Sequence, residues 1–285
     1  TLDTADDLSA CQLLAVASLG GRIFLAAPLS MDNLADIARW KENIYWDNKQ
    51  GRVVARRELR VGGIVLDTRD IDGDVRERST EAICAAAKKD GLGMFDFGDA
   101  VQALQRRIAT VALWHPELSL PDVSTSAVLD SVSEWLLLYI GKASTAAELR
   151  KISMAEVVWG MLTYDQQQSV DSLAPTHIQV PTGSRIRIDY RQGAEAPVLS
   201  VRLQECFGLT ATPCVDGGKR PVLMELLSPG YKPVQLTQDL SSFWATTYFE
   251  VRKELRRRYP KHYWPDNPLD AEAVRGVQRR PSPSR

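Results

Sequence analysis

The residues best suited to chemistry in this chain are cationic, and their spacing suits phosphate contact rather than bond breaking. From Phe249 to Trp264 there are six Lys or Arg against two Glu, in a chain whose formal net charge is −1. At about 100° per residue, a helix here turns Arg252, Lys253, Arg256 and Arg257 off the apolar stripe of Trp244, Tyr248, Val251 and Leu255, so that the cations face outward together. Such a face either meets a polyanion or is a solvated surface, with Glu250 and Glu254 placed to pair with Lys253, Arg257 or Arg258 along the helix. Arg185 and Arg187 alternate with Ile186 and Ile188 on a strand and share its outward side, open to the same two readings. Lys261 sits among Tyr259, His262, Tyr263 and Trp264, a mixture able to stack bases while neutralising backbone charge. Pro260, Pro265 and Pro268 favour instead an extended strap whose aromatics pin it to the domain.

Other constellations fall short of a site. Asp70, Asp72, Asp74 and Glu81 imitate part of a calcium loop, but Gly73 comes too early for the tight turn and a strand precedes the segment where a helix is needed. The nearest approach to a phosphate-cradling loop, Gly217-Gly218-Lys219-Arg220, lacks both the spacing and the hydroxyl for magnesium, so an unaided ATPase is not expected. His115, His177 and His262 are isolated in sequence, where a base needs a positioned partner, and they read as surface or satisfied core residues. Cys11, Cys84, Cys206 and Cys214 show no paired spacing and read as buried or semi-buried thiols. No metal and no cofactor is expected.

The elements that must position the cations follow from hydrophobic period. Residues 10 to 70 have the composition of a β-meander, with turns at Asn48–Gly51 and at Gly62–Gly63 and a short helix over Met31 to Lys41. Helical period sets in at Ser79, with stripes Val101, Leu104, Ile108, Val111 and Val128, Val132, Trp135, Tyr139, and capping boxes at Thr145 with Glu148 and Ser153 with Glu156. Four or five helices are expected. After Pro175 the period returns to two, giving a small sheet that includes Leu199–Leu203, Val222–Leu227 and Val234–Thr237, closed by one helix from about Asp239 to Pro260. The composition, 44% apolar and 25% charged, is that of a globular chain, and no apolar run approaches the roughly 20 residues that span a bilayer. A start at Thr1 without a signal region reads as a fragment of a cytoplasmic protein with no membrane association.

At this point a family enters. Ala174-Pro175-Thr176-His177 with Val180-Pro181-Thr182-Gly183-Ser184-Arg185, and Arg202-Leu203-Gln204-Glu205-Cys206-Phe207-Gly208, resemble the C-terminal domain of the HrpB helicases. Glu225-Leu226-Leu227-Ser228-Pro229, Gln238-Asp239-Leu240 with Phe243-Trp244, and Arg258-Tyr259-Pro260-Lys261-His262 with Trp264-Pro265 follow in the family's order. Trp46-Asp47 with Gly51-Arg52-Val53 and Gly62 resemble the region around the family's OB-like fold, and Trp114 with Pro116-Glu117 its helical region. The resemblance covers nearly the whole chain. It implies a DEAH-box-like superfamily 2 helicase whose motor lobes, with their ATP and Mg, lie upstream; none of the family's catalytic motifs has a matching position here.

The expectation is therefore an α+β fold: an OB-like β segment over 1–78, a helical region over 79–174, a C-terminal β domain with a closing helix over 175–268, and a disordered basic tail over 269–285. Its function would be that of a non-motor accessory region assisting the binding of RNA or single-stranded DNA through Arg185, Arg187, Arg252, Lys253, Arg256, Arg257 and Lys261, with the motor domains as partners. The alternative is a scaffold that docks on the motor and binds no nucleic acid.

Overall fold

A computed structural model describes residues 11–19, 22–71, 75–191 and 196–277. In chain order these form strands β1 (Leu14–Leu19), β2 (Arg22–Pro28), β3 (Arg39–Asp47), β4 (Arg52–Val61) and β5 (Ile64–Asp70). Helices α1 (Arg76–Asp90), α2 (Asp99–Trp114), α3 (Thr125–Asp130), α4 (Val132–Tyr139), α5 (Ala146–Leu149), α6 (Met154–Gly160) and α7 (Tyr164–Leu173) follow. The last part holds β6 (His177–Gln179), β7 (Arg185–Arg187), β8 (Val198–Arg202), β9 (Cys214–Val215), β10 (Arg220–Pro221), β11 (Leu223–Leu227) and β12 (Pro233–Thr237), then α8 (Leu240–Ala245) and α9 (Tyr248–Arg258). The fold is mixed α+β in the expected order: strands, a helical middle, and small sheets before the closing helices. No described helix is long and apolar enough to cross a membrane.

Contacts divide the chain into two units, Thr1–Phe95 with Val132–Ile152, and Asp96–Ser131 with Ser153–Arg285. In the first, β1 and β2 pair as one hairpin and β3–β4–β5 form an antiparallel meander. The β3–β4 turn is shaped by the Asp47 carboxylate, which accepts from the amides of Lys49 (2.8 Å) and Gln50 (3.0 Å), and by Gly51 at φ +61°. Gly62, at φ +57°, opens the two-residue turn between Val61 and Ile64. Helix α1 packs on β3 and α4, and Phe95 meets Trp135 edge-on at 5.3 Å. The Met31–Lys41 helix is not formed: Asp32–Leu34 make one 3-10 turn and Arg39 is already in β3. Only Leu34 of that stretch is buried, and Met31 and Ile37 are exposed, so no packed apolar face holds a helix there.

The helical stretch breaks into more and shorter helices than its period suggests, because polar caps restart it repeatedly. The hydroxyls of Ser124, Thr145, Ser153 and Thr163 each accept a first-turn amide. Thr145 with Glu148 and Thr163 with Gln166 are complete capping boxes; Ser153 makes its half only.

In the second unit, β11 is central, antiparallel to β12 and parallel to β8, with Leu199 opposite Met224. The core gathers Leu199, Leu203, Phe207, Met224, Leu226, Leu240, Trp244, Tyr248 and Leu255. Trp244 lies 5.0 Å from Phe243, 5.3 Å from Tyr248 and 6.2 Å from Phe207, and its indole N–H donates to the Leu209 carbonyl. The closing helix is two helices. At Thr246 the backbone leaves helical geometry (φ −121°, ψ −72°), and the Thr246 hydroxyl bonds back to the Ser242 carbonyl, a local alternative to continuing the ladder. Residues 269–277, expected as part of a disordered tail, are held on the domain: the Val274 amide donates to the Gln204 carbonyl and Arg275 to the Thr182 carbonyl. The rest of that tail, 278–285, lies outside the described residues.

Candidate functional site

Helix α9 buries Tyr248 and Leu255 and turns Lys253, Arg256 and Arg257 to solvent. None of these three lies within ion-pair distance of a carboxylate among the described residues; the expected pairs to Glu250 and Glu254 do not form. Exposed pairs between long side chains gain too little to hold one geometry against rotamer entropy. Phe249, 50% exposed, falls between Arg256 and Lys253 on the same face at 100° per residue. Arg256 and Arg257 also sit in the last turn, where cations meet the negative end of the helix dipole, so the face has a structural use of its own.

Arg252 departs from the expected outward set. Its side chain is 17% exposed, donating to the Trp264 carbonyl at 3.2 Å and pairing with Asp266. It stands 40° from Tyr248 by helical rotation, near enough to the buried side to reach the strap after α9, which therefore consumes its charge. Lys261 is exposed in the turn that follows Pro260. The aromatics around it pin the strap: Trp264 is buried with its N–H on the Tyr259 carbonyl, the Tyr248 hydroxyl donates to the Pro265 carbonyl, and His262 meets the Gln204 side chain at 3.0 Å.

Arg185 and Arg187 stand on a different element. In the β6–β7 pair they lie opposite Gln179 and His177, all four exposed, so one outward face carries two arginines with no carboxylate partner among the described residues. Behind them the Glu205 carboxylate, 4% exposed as a residue, accepts from Ser184 (2.7 Å), Thr182 (3.0 Å) and Arg202 (2.9 Å). Burial alone would raise this carboxyl; the three donors outweigh it and hold it below its usual range. The strings around Thr182 and Glu205 thus serve one buried polar knot that fixes β7 against β8.

A cluster invisible to sequence reading lies at the end of α2. His115 bonds Asp216 through Nε2 at 2.6 Å and Glu117 through Nδ1 at 2.7 Å. Arg220 donates to the other Asp216 oxygen at 3.0 Å and covers the Trp114 ring at 4.7 Å. Bonds to Asp216 and then Glu117 raise the His115 pKa. Burial opposes ionisation of Asp216, but His115 and Arg220 lower its pKa on balance. The partners are 101 residues apart, and Trp114-His115-Pro116-Glu117 carries no spacing that announces them. With a Tyr190 ring edge on Trp114 at 6.4 Å, the cluster ties α2 to the β9–β10 hairpin.

The glycine string forms a turn between two strands. Asp216, Gly217 and Gly218, at φ +56°, +60° and +90°, turn the chain from β9 into β10, so no helix follows to present its amides to a phosphate. Asp72, Gly73 and Asp74 of the acidic segment lie outside the described residues.

The chain is similar to known proteins over most of its length. Residues 135–268 match the family described as ATP-dependent helicase C-terminal, and residues 37–71 the connector region of the ATP-dependent RNA helicase HrpB. The chain is 33% identical over 267 residues to the ATP-dependent RNA helicase HrpB of Escherichia coli (strain K12), covering 92% of this chain and 33% of that protein. It thus spans about a third of the length of the curated relative it matches. Among solved structures, the E. coli DExH-box NTPase HrpB superposes with a TM-score of 0.68 at 33% identity over 97% of this chain and 35% of that one. A second, the Escherichia coli DEAH/RHA helicase HrpB, gives 0.60 at 30% identity over 89% and 32%.

Proposed function

Since this chain carries the connector and C-terminal regions of an HrpB-type helicase, we propose that it serves as a non-motor region that holds single-stranded nucleic acid beside the ATP-hydrolysing lobes of the same protein. The observation that carries this reading is the outer face of α9, where Lys253, Arg256 and Arg257 follow the exposed Phe249 along the helix and have no carboxylate partner among the described residues. Unpaired cations on one helix face with an exposed ring supply both halves of sequence-tolerant single-strand binding: backbone neutralisation and a surface for base stacking. Arg185, Arg187 and Lys261 add cations in the same unit. ATP and magnesium belong, on this reading, to the motor lobes.

The test is charge reversal of the helix face. Lys253→Glu with Arg256→Glu should weaken binding of a labelled single-stranded oligonucleotide of any sequence and reduce the salt slope by roughly 0.7 per lost phosphate contact. Both positions point away from the core, so the folded state should survive. Unchanged affinity and slope at unchanged stability would leave α9 as a solvated face. Loss of ATPase coupling in an intact helicase without loss of binding would favour the second reading, docking on the motor.

A further inference from the structure

We propose that the groove between α2 and β7 is a nucleotide seat, in which Arg106 and Arg187 hold a phosphate of a single strand and the attached base lies on the apolar floor. This rests on the nucleic-acid reading above and assigns it a second, separate contact. The groove has a volume of about 440 Å³ and is lined by both arginines, with Ala103, Leu104 and Ile188 among its apolar walls. That is within the size range of pockets for small ligands, and larger than one anionic group needs.

Charge bookkeeping inside the groove isolates the two arginines. Arg107, also in the wall, is fully engaged with the Ala174 and Val170 carbonyls and Asp171. Asp189 is paired with Arg191 at 2.8 Å, and the Tyr190 hydroxyl is spent on the Pro175 carbonyl. Arg106 and Arg187 have no carboxylate within ion-pair distance among the described residues. Two guanidiniums lining one concavity repel each other until an anion enters between them. Arginine suits that anion, since its planar fork matches phosphate oxygens. The apolar walls then decide between anions: a base has a face to lay on the half-buried Ala103 and Leu104, with the buried Ile188 behind, whereas a carboxylate side chain has none. Arg185, two residues from Arg187 and therefore about 6.6 Å along the same strand face, is placed for the next phosphate. Asp99, the first residue of α2, also lines the groove and opposes an anion there.

The experiment uses the full chain and a fluorescently labelled hexauridylate, titrated at several salt concentrations. Arg106→Gln and Arg187→Gln should each weaken binding several-fold and flatten the salt slope by roughly 0.7, while Asp99→Asn should tighten it. An abasic oligomer with the same phosphates should bind several-fold more weakly to the parent chain, and this penalty should shrink in Leu104→Ala. Thermal melts of each variant separate lost contact from lost fold. If the parent chain binds no oligonucleotide, the nucleic-acid reading and the seat fall together. Binding sensitive to Lys253→Glu and Arg256→Glu but indifferent to Arg106→Gln and Arg187→Gln overturns the seat alone. Equal binding of the abasic oligomer removes the base from the groove, and competition by oligoglutamate as strong as by hexauridylate overturns the seat in favour of an acidic peptide.

Discussion

Arg252 and Lys253 are neighbours in sequence with opposite fates. The 100° turn between them was legible, and it places Lys253 outward as the helical period requires. What captures Arg252 is a carbonyl and a carboxylate 12 and 14 residues further on, at Trp264 and Asp266, and no local period reports where a strap returns. Trp244 was legible for the opposite reason, since a stripe on a charged helix identifies its own buried side. Trp244→Ala removes that ring and orphans the Leu209 carbonyl, and should cost about 3–5 kcal/mol in urea unfolding; a loss below about 1 kcal/mol would place the ring outside the core. His115, isolated from the other histidines in sequence, is bonded at both ring nitrogens to carboxylates. A neutral imidazole can donate from one nitrogen only, so the arrangement calls for the cation. Its raised pKa means that its contribution to stability is complete below its ordinary value of about 6.5 and disappears as pH climbs through the folded-state value. The lowered values of Asp216 and Glu117 act at the other end, contributing above about pH 4 and vanishing on acidification. Urea midpoints should therefore fall from about pH 6 to pH 9, and His115→Gln should show a smaller fall over that range. An equal fall in the variant would remove His115 as its source.

At the scale of elements, the signals that survived are those that act within four residues. Hairpin turns at Asn48–Gly51 and Gly62–Gly63, the Thr145 capping box and the strand alternation around Ile186 are all local, and the structure contains each of them. Breaks were harder to see. The closing helix reads as continuous because its stripe runs from Trp244 through Tyr248 to Leu255, and those residues are buried. Adjacent β-branched Thr246 and Thr247 nevertheless interrupt it, leaving α8 as a helix of six residues that leans on its own N-terminal cap. Asp239 supplies that cap, accepting from the Ser242 amide at 2.9 Å and the Ser241 hydroxyl at 2.7 Å. Those donors also lower its pKa, the amide of Ser242 foremost. Asp239→Ala should destabilise the chain by about 0.5–2 kcal/mol, with Asp239→Asn recovering most of the loss. If neither variant differs measurably from the parent in chemical denaturation, α8 is held by packing alone.

For the whole molecule, the order of β and helical stretches was readable because hydrophobic period changes from two to 3.6 and back. Which helix packs in which unit was not, since period reports the buried side and not its partner: α2 and α3 fall in one unit while α1, α4 and α5 fall in the other. The parallel pairing of β8 with β11 was equally hidden, because a hairpin, β9–β10, intervenes between them. The same scale decides what chemistry the chain can perform alone. ATP hydrolysis needs amides converging on the phosphates, a lysine, and a hydroxyl for magnesium, all fixed by a strand–loop–helix unit. The glycine string nearest to that requirement turns between two strands, with Lys219 exposed beyond it. Binding of a single strand to α9 would not change this, since the helix offers cations but no site for the γ-phosphate. The purified chain should accordingly release phosphate from ATP at the rate of the buffer blank, with or without single-stranded RNA, while still binding that RNA in a salt-dependent way. Phosphate release that co-purifies with the chain through successive columns and rises on adding RNA would overturn the assignment of hydrolysis to the motor lobes.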